Sequence, residues 1–264
     1  MEEFEKRQLE PELMNGAAQV DAYAAANFSG SDNELIEFIS AQFPNGLGEH
    51  IIDLGCGPGN ITELAAKRWN HAHVLGIDGA PRMLKVAEYR RDLINNKELS
   101  LRIKYECLNL SSINDLSLLK GLVSRQQISV ISNSLLHHLH EPSVLWNAVK
   151  KLAFNGACVV VNDLRRPKNK NEFDLLMGTE ALNLAAVLKA DYAASLRAAF
   201  TVAEVKKQLR DASLTQLNVL ERGNRYLTVW GWLDPVGEFG EPKANYVPVT
   251  LPKSSGCSGA GGRS

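Results

Sequence analysis

Hydrophobic residues follow two different spacings along the chain. Short apolar runs, bounded by glycine and polar residues, alternate with longer stretches in which apolar residues recur every third or fourth position. The short runs are typical of buried strands, and the longer spacing is typical of helices. The pattern predicts strands at 50–54, 73–78, 101–108, 128–133, 157–163, 216–221 and 226–232, and intervening helices at 60–69, 81–96, 112–125 and 142–153.

The order of these elements indicates the fold class. Strands that alternate with helices form right-handed crossovers and a parallel sheet. The last two strands are joined by a short turn with Gly223 and Asn224, which predicts an antiparallel hairpin. We therefore expect an α/β fold with a Rossmann-like, doubly wound, mostly parallel seven-stranded sheet, an antiparallel C-terminal hairpin and helices on both faces.

Three segments lie outside the alternation of strands and helices. Residues 1–44 carry two helical stretches and are predicted to form an N-terminal helical cap. The sheet domain at 45–233 contains an apolar helical lid insertion at 164–200. Residues 234–264 are rich in glycine, proline and serine, which predicts a flexible tail.

Two helix starts have recognisable capping residues. Ser31 or Asp32 is expected to cap the second N-terminal helix, because short polar side chains satisfy open N–H groups there. Thr201 precedes another helix, and Glu204 lies three positions later, which predicts a capping box. A first helix is expected within 11–26.

Composition excludes several classes of protein. The 264 residues carry 29 Lys and Arg against 30 Asp and Glu, so the net charge of −1 favours neither a nucleic acid nor an anionic membrane as partner. No apolar run reaches the roughly 20 residues of a spanning helix, and the N-terminus is polar. Four cysteines lie far apart, without metal-ligand spacing. We expect a soluble, reduced, cytoplasmic protein with no metal.

A glycine-rich loop follows the first strand. The sequence HIIDLGCGPGN ends its apolar run at Asp53 and then carries Gly55, Gly57 and Gly59. Glycines in this position indicate either a tight turn or a ligand held against open backbone N–H groups at a helix N-terminus. In an open α/β sheet, ligands bind at the carboxyl ends of the strands.

An acid at the end of the second strand favours the ligand interpretation. Asp78 closes HVLGID, where a carboxylate can accept both hydroxyls of a ribose. Its alternative is a helix cap before Pro81, and the two roles can coexist.

The residues IIDLGCGPGN and VLGIDGAPRML resemble the first two motifs of class I S-adenosylmethionine-dependent methyltransferases, and the resemblance runs in motif order from about 45 to 232. It implies S-adenosylmethionine as cofactor and S-adenosylhomocysteine as product. Asp53 would lie near the methionine amino end, Asp78 on the ribose and Met83 against adenine. The implied cofactor residues are Tyr23, Asp53, Gly55, Cys56, Gly57, Gly59, Asn60, Asp78, Gly79, Met83, Asn109, Leu110, Asn133 and Ser134.

One implied cofactor position departs from the family pattern. Asn109 stands where the family usually has an Asp; its amide can still donate and accept at the adenine edge, or it is a turn residue. Asn133 and Ser134 would reach the methionine end. The chain lacks the [DN]-P-P-[YFW] motif of enzymes that methylate exocyclic amines of nucleic-acid bases.

Three histidines follow the fourth strand, in LLHHLHEP. The segment resembles both the L-H-H-L of small-molecule methyltransferases and the L-H-D-W of plant-type O-methyltransferases, in which the histidine is the general base. This implies His137, and less directly His138, as the catalytic base. The other interpretation is a histidine that only bonds the backbone. A metal role is disfavoured because adjacent side chains face apart on regular elements.

The methyl acceptor is expected between the N-terminal helices and the 164–200 insertion. Tyr23 and Tyr192 are candidates to line that pocket. Arg165 and Arg166 follow strand five and are candidates to clamp an acceptor carboxylate; their alternative is a solvated basic loop.

The sequence thus favours a methyltransferase that acts on a small molecule by in-line displacement. An RNA acceptor is the first alternative, although no broad basic surface supports it. An NAD-dependent oxidoreductase is the second, but the loop reads G-C-G-P-G-N rather than G-x-G-x-x-G. A non-catalytic relative that keeps the cofactor pocket is the third. The acceptor and the oligomeric state are left open.

Overall fold

Seven strands form one sheet in the computed structural model, which describes residues 6–11, 13–110 and 128–236. The strand order is β3-β2-β1-β4-β5-β7-β6. The strands are β1 His50–Leu54, β2 His73–Asp78, β3 Ile103–Cys107, β4 Ser129–Asn133, β5 Ala157–Leu164, β6 Asn218–Arg222 and β7 Tyr226–Leu233.

Helices connect and cover these strands. They are α1 Ala17–Ala25, α2 Ser29–Gln42, α3 Asn60–Arg68, α4 Pro81–Asp92, α5 Lys97–Leu101, α6 Ser143–Leu152, α7 Lys170–Thr179, α8 Ala186–Ala198 and α9 Val202–Asp211. Short 3₁₀ turns lie at Leu136–His138 and Ala153–Asn155. None of the helices in the described ranges is both long and apolar enough to span a lipid bilayer.

The strand directions confirm the predicted fold class. Strands β1 to β5 pair in parallel, and β7 runs antiparallel to both β5 and β6. Because β1 lies between β2 and β4, the strand order reverses at β1. The carboxyl ends of these three strands therefore open a crevice, which is the usual ligand position in such sheets.

Apolar packing on both faces holds the sheet rigid. Every residue of β5 is buried, as expected for a strand covered on both sides. One face packs around Trp146 from α6, and the other packs around Ile39 from α2 and Trp69 after α3. The ends of the central strands are consequently fixed points for the side chains that follow them.

Several predicted boundaries differ from the structure. Helix α2 begins at Ser29 rather than after Ser31 or Asp32, because the Asn27 side chain accepts the Ser29 N–H earlier in the chain. The first helix begins at Ala17, and α4 ends at Asp92. The short helix α5, capped by the Asn96 side chain, occupies part of the predicted third strand.

Other predictions on the helices are confirmed or lie outside the described residues. The capping box of Thr201 and Glu204 is present at α9. Helices α7 and α8 fall within the 164–200 insertion and share a small core around Phe173 and Leu196. The helix expected at 112–125 and most of the tail from 234 lie outside the described residues.

Candidate active site

A first cavity lies at the carboxyl ends of β1, β2 and β4 and contains almost all of the predicted cofactor residues. Its walls include Tyr23, Asp53, Gly55, Cys56, Gly57, Asn60, Asp78, Gly79, Met83, Asn109, Leu110, Asn133 and Ser134. The sheet brings them together because each group follows the end of a neighbouring strand. We refer to this space as the donor cavity.

Gly59 is the one predicted cofactor residue that does not line the donor cavity. It precedes α3 with a φ of 85°, and a Cβ atom here would overlap the hydroxyl of Tyr105. By contrast, Gly57 has a φ of 52° and nothing within 4 Å of the place where a Cβ would stand. Gly57 therefore leaves room for a ligand, whereas Gly59 makes room for the protein's own core.

Asp78 joins the two loops that frame the donor cavity. One carboxylate oxygen accepts the Gly57 N–H at 2.8 Å, and the other accepts the Ala80 N–H at 2.7 Å. Ala80, not Asp78, is the residue that precedes α4. Burial raises the pKa of Asp78 even though these N–H groups act in the opposite direction.

Asp53 is a buried acid with one free oxygen in the donor cavity. Its Oδ2 accepts the Thr62 hydroxyl at 2.7 Å, and its Oδ1 has no hydrogen-bond partner among the described residues. Burial raises the pKa of Asp53 to about 7, and the neighbouring Asp78 and Asp32 add to that shift. An unpartnered buried carboxylate oxygen is costly, so it marks the place of a donor that a ligand would supply.

A second cavity of about 350 Å³ opens beside the donor cavity. The two share six wall residues, namely Met14, Tyr23, Asp32, Asn133, Ser134 and His138. Tyr192 lines the second cavity, as the sequence predicts, and so does His137. We refer to this space as the acceptor cavity.

His137 is held by an acid from β5. Its backbone N–H donates to Asp163 Oδ2 at 3.0 Å, and its ring Nδ1 bonds Asp163 Oδ1. Burial alone would lower the pKa of His137, but Asp163 outweighs it and the net direction is upward. The ring is therefore fixed with its Nε2 pointing away from the sheet.

The two adjacent histidine rings do not face apart. Their centroids are 4.2 Å apart with an interplanar angle of 35°. His137 Nε2 lies 3.4 Å from Glu10 Oε1, and His138 Nδ1 lies 3.2 Å from the same oxygen. The 3₁₀ turn explains this convergence, because it does not keep the alternating geometry of a strand.

An N-terminal segment, residues 6–11, brings Glu10 to the histidines. Arg7 donates to the carbonyl oxygens of His137 and Leu139 at 2.9 Å, and its Nε donates to that of Ala198 at 2.6 Å. The guanidinium also lies over the Phe200 ring, 3.9 Å from its centroid. The sequence shows only a charged segment here, so neither residue was predicted to belong to the site.

Arg165 and Arg166 do not line either cavity. Arg165 is only 4% exposed and bonds Glu172 Oε1 at 2.5 Å. Arg166 bonds Glu204 Oε1 at 2.7 Å. Each guanidinium forms an ion pair with a carboxylate of the protein itself, so the structure does not place either one to clamp an acceptor carboxylate.

Asp32 is a wall residue that the sequence assigned only to capping. It is buried, accepts the Asn60 amide at 3.0 Å and lines both cavities. Burial raises the pKa of Asp32. Its side chain points inward because α2 packs on α3. The local sequence around Asp32 does not predict this packing.

Fold and site together define a Rossmann-like methyltransferase class, and comparisons with known proteins agree. Residues 51–156 match a family described as "Methyltransferase domain". Trans-aconitate 2-methyltransferase from Methylobacterium nodulans is 29% identical over 157 residues, which cover 58% of this chain and 54% of that protein. Malonyl-[acyl-carrier protein] O-methyltransferase from Acetivibrio thermocellus is 31% identical over 107 residues, covering 40% and 34%.

Solved structures show the same fold at low identity. The plantazolicin methyltransferase BamL, crystallised in complex with a triazolic desmethylPZN analog and S-adenosylhomocysteine, has a TM-score of 0.59, 16% identity, and coverage of 81% of this chain and 89% of that one. The chain spans about half the length, or less, of the curated relatives it matches. The domain match, the named relatives and the shared fold together support a class I S-adenosylmethionine-dependent methyltransferase.

The donor cavity fits the cofactor of this family. Across the described ranges, Asp53 Oδ1 lacks a hydrogen-bond partner and the space beside Gly57 is open. Both features match a ligand that carries an amino group and lies against the loop.

Proposed function

We propose that this chain transfers a methyl group from S-adenosylmethionine to a small-molecule acceptor by in-line displacement. The proposal rests on the observation that the donor and acceptor cavities adjoin and share lining residues, among them Asn133, Ser134 and His138. Two reactants held in adjoining cavities are already positioned for reaction, so little entropy is lost when they meet.

The chain's own residues would hold the cofactor at both of its ends. Asp53 Oδ1 would accept the amino group, Asp78 would accept the ribose hydroxyls and Met83 would pack on the adenine. When bound, S-adenosylmethionine supplies an electrophilic methyl group on a sulfonium. Tyr23, whose ring contacts Phe28 in a tilted arrangement with 4.7 Å between centroids, covers the junction of the cavities and excludes water there.

The charges around the acceptor cavity disfavour a polyanionic acceptor. Three acids line it, Asp32, Glu180 and Asp191, against one guanidinium, Arg225, which is already paired with Glu180. A polyanion would have to displace that pair and face the other carboxylates. The acceptor therefore differs in charge from trans-aconitate, the anion in the names of several relatives.

A labelled-methyl screen tests the proposal. Purified protein with labelled S-adenosylmethionine and fractionated metabolite extract should label neutral or amine-bearing compounds, detected by mass spectrometry. Calorimetry should show binding of S-adenosylhomocysteine and none of NAD. Binding of NAD without any response to S-adenosylhomocysteine would overturn the proposal, and labelling confined to polyanions would overturn the acceptor class.

The comparisons do not favour the two other enzymatic functions that the sequence left open. The matched family and the named relatives are methyltransferases with small or carrier-bound acceptors in their names, and none is named as an oxidoreductase or an RNA enzyme.

Binding of S-adenosylhomocysteine is expected to depend on pH through Asp53. The cofactor's cationic amino group needs the ionised carboxylate, so it competes with the proton that the free protein holds below a pKa of about 7. Affinity should rise as pH increases from 5.5 to 7 by up to roughly tenfold per unit, and then level off. Calorimetry across this range measures the profile.

Asp53→Asn is the matched control for this profile. The variant keeps the shape of the side chain and loses its charge, so binding should be weaker at pH 8 and nearly independent of pH. The assignment fails when the variant retains the slope of the wild-type protein.

A further inference from the structure

We propose that Glu10, His137 and His138 bind one divalent transition-metal ion, such as Zn²⁺, at the border of the donor and acceptor cavities. The metal's role in methyl transfer rests on the proposed function, whereas its binding does not. The names of the matched proteins mention no metal, so the inference rests on this chain's own residues. Within the described ranges, one ligand atom from each of the three lies within 4.8 Å of the others.

The spacing of the ligand atoms fits a metal ion. Tetrahedral ligands at about 2.0 to 2.1 Å from zinc lie roughly 3.3 to 3.4 Å from one another. Glu10 Oε1 lies 3.4 Å from His137 Nε2 and 3.2 Å from His138 Nδ1. The third pair, from His137 and His138, lies within 4.8 Å, so an ion that binds all three atoms would draw the two rings together.

Two of the three ligand atoms are buried and lack a hydrogen-bond partner among the described residues. The Glu10 side chain is 8% exposed and that of His137 is 3% exposed. Glu10 Oε1 and His138 Nδ1 are buried atoms, and neither has a hydrogen bond within the part of the chain that the structure describes. Two orphaned lone-pair atoms aimed at the same point are costly unless something binds them.

The remaining polar atoms of the three ligands are oriented as in known metal sites, where the second ring nitrogen bonds a carboxylate or a carbonyl. His137 Nδ1 bonds the Asp163 carboxylate, which fixes its Nε2 as the free lone pair. His138 bonds the backbone of Pro11, which offers only a carbonyl oxygen. The second Glu10 oxygen accepts the Ser195 hydroxyl at 3.2 Å.

A dication would also balance the charge of the cluster. Two buried carboxylates, Glu10 and Asp163, lie on either side of the His137 ring. Arg7 is close enough to act electrostatically on His137, but its N–H groups donate to main-chain oxygens rather than to these carboxylates. Buried charges require such a counter-ion.

Three protein ligands leave at least one position open, which is the arrangement of catalytic rather than structural zinc. Because both histidines line the acceptor cavity, the open position faces it. An acceptor oxygen or nitrogen coordinated there would lose its proton to solvent more readily. His137 would then act as a ligand rather than as the general base that the sequence implied.

Metal titration of the full-length protein tests the site. After treatment with chelator and dialysis, the wild-type chain should bind one Zn²⁺ or Co²⁺ per chain, measured by elemental analysis. The Co²⁺ form should show visible d–d absorption of four- or five-coordinate cobalt. Glu10→Gln and His138→Ala should weaken metal binding by roughly 100-fold, and Asp163→Asn by about 10- to 100-fold.

Two exposed residues provide matched controls. His71→Ala removes a histidine, and Cys107→Ser removes a thiol, at surface positions away from the cluster; both should bind cobalt as the wild type does. Glu10→Gln should keep its affinity for S-adenosylhomocysteine, because Glu10 lines neither cavity.

The outcomes separate the two proposals. The metal site would be overturned if no stoichiometric metal binds at tenfold excess, or if the cobalt spectra of the ligand variants are unchanged. Binding of S-adenosylhomocysteine would still support the methyltransferase in that case. Metal binding without any S-adenosylhomocysteine binding would support the site and overturn the proposed function.

Discussion

Replacing Asp78 with alanine is expected to weaken binding of S-adenosylhomocysteine by roughly 100-fold or more. The carboxylate now fixes both cavity loops through the N–H groups of Gly57 and Ala80. It is also the proposed acceptor for the ribose hydroxyls. Hydrogen bonds to a charged group contribute about 1.5 to 3 kcal/mol each, so losing the ribose contacts and the loop geometry exceeds the 2.7 kcal/mol that a 100-fold change represents.

Calorimetry on three variants separates the two roles of Asp78. Asp78→Asn keeps the size of the side chain and one acceptor oxygen, so it should fall between wild type and Asp78→Ala. Asp92→Ala removes an exposed acid at the end of α4 and should bind normally. Thermal unfolding must show Asp78→Ala to be folded. A loss smaller than threefold would contradict the ribose assignment.

The sheet was predictable because its signal is local. Buried strands need continuous apolar runs, and each run was visible in the sequence. Helix ends were less predictable, since α2 begins where the Asn27 side chain meets the Ser29 N–H, ahead of the more obvious caps at Ser31 and Asp32. Thr201 was correct because a capping box is entirely local.

The candidate site was predictable only where it follows the strand ends. Asp53, Asp78 and Asn133 come together because parallel strands end at one edge. Glu10 reaches the site through a non-helical segment anchored by tertiary contacts, which leaves no periodic signal. The sequence did not show that Arg165 pairs with Glu172, because Glu172 lies on the following helix and meets it only in the folded chain.

Gly59→Ala is expected to lower the free energy of unfolding by about 2 to 5 kcal/mol. Its φ of 85° is strained for any L side chain, at about 1 to 2 kcal/mol, and its Cβ would overlap the partly buried Tyr105 hydroxyl, where overpacking costs about 1 to 3 kcal/mol more. Denaturant unfolding measures this loss.

The comparison with Gly57 shows why the loop needs both glycines. Gly57→Ala meets no protein atom, so it should cost only the backbone strain of about 1 to 2 kcal/mol, yet its methyl group enters the donor cavity and should weaken binding of S-adenosylhomocysteine. Adding Tyr105→Phe to Gly59→Ala removes the overlapping oxygen and should recover part of the lost stability, relative to Tyr105→Phe alone. Equal stability losses in the two glycine variants would contradict this division, in which Gly57 leaves space for the ligand and Gly59 leaves space for the Tyr105 side chain.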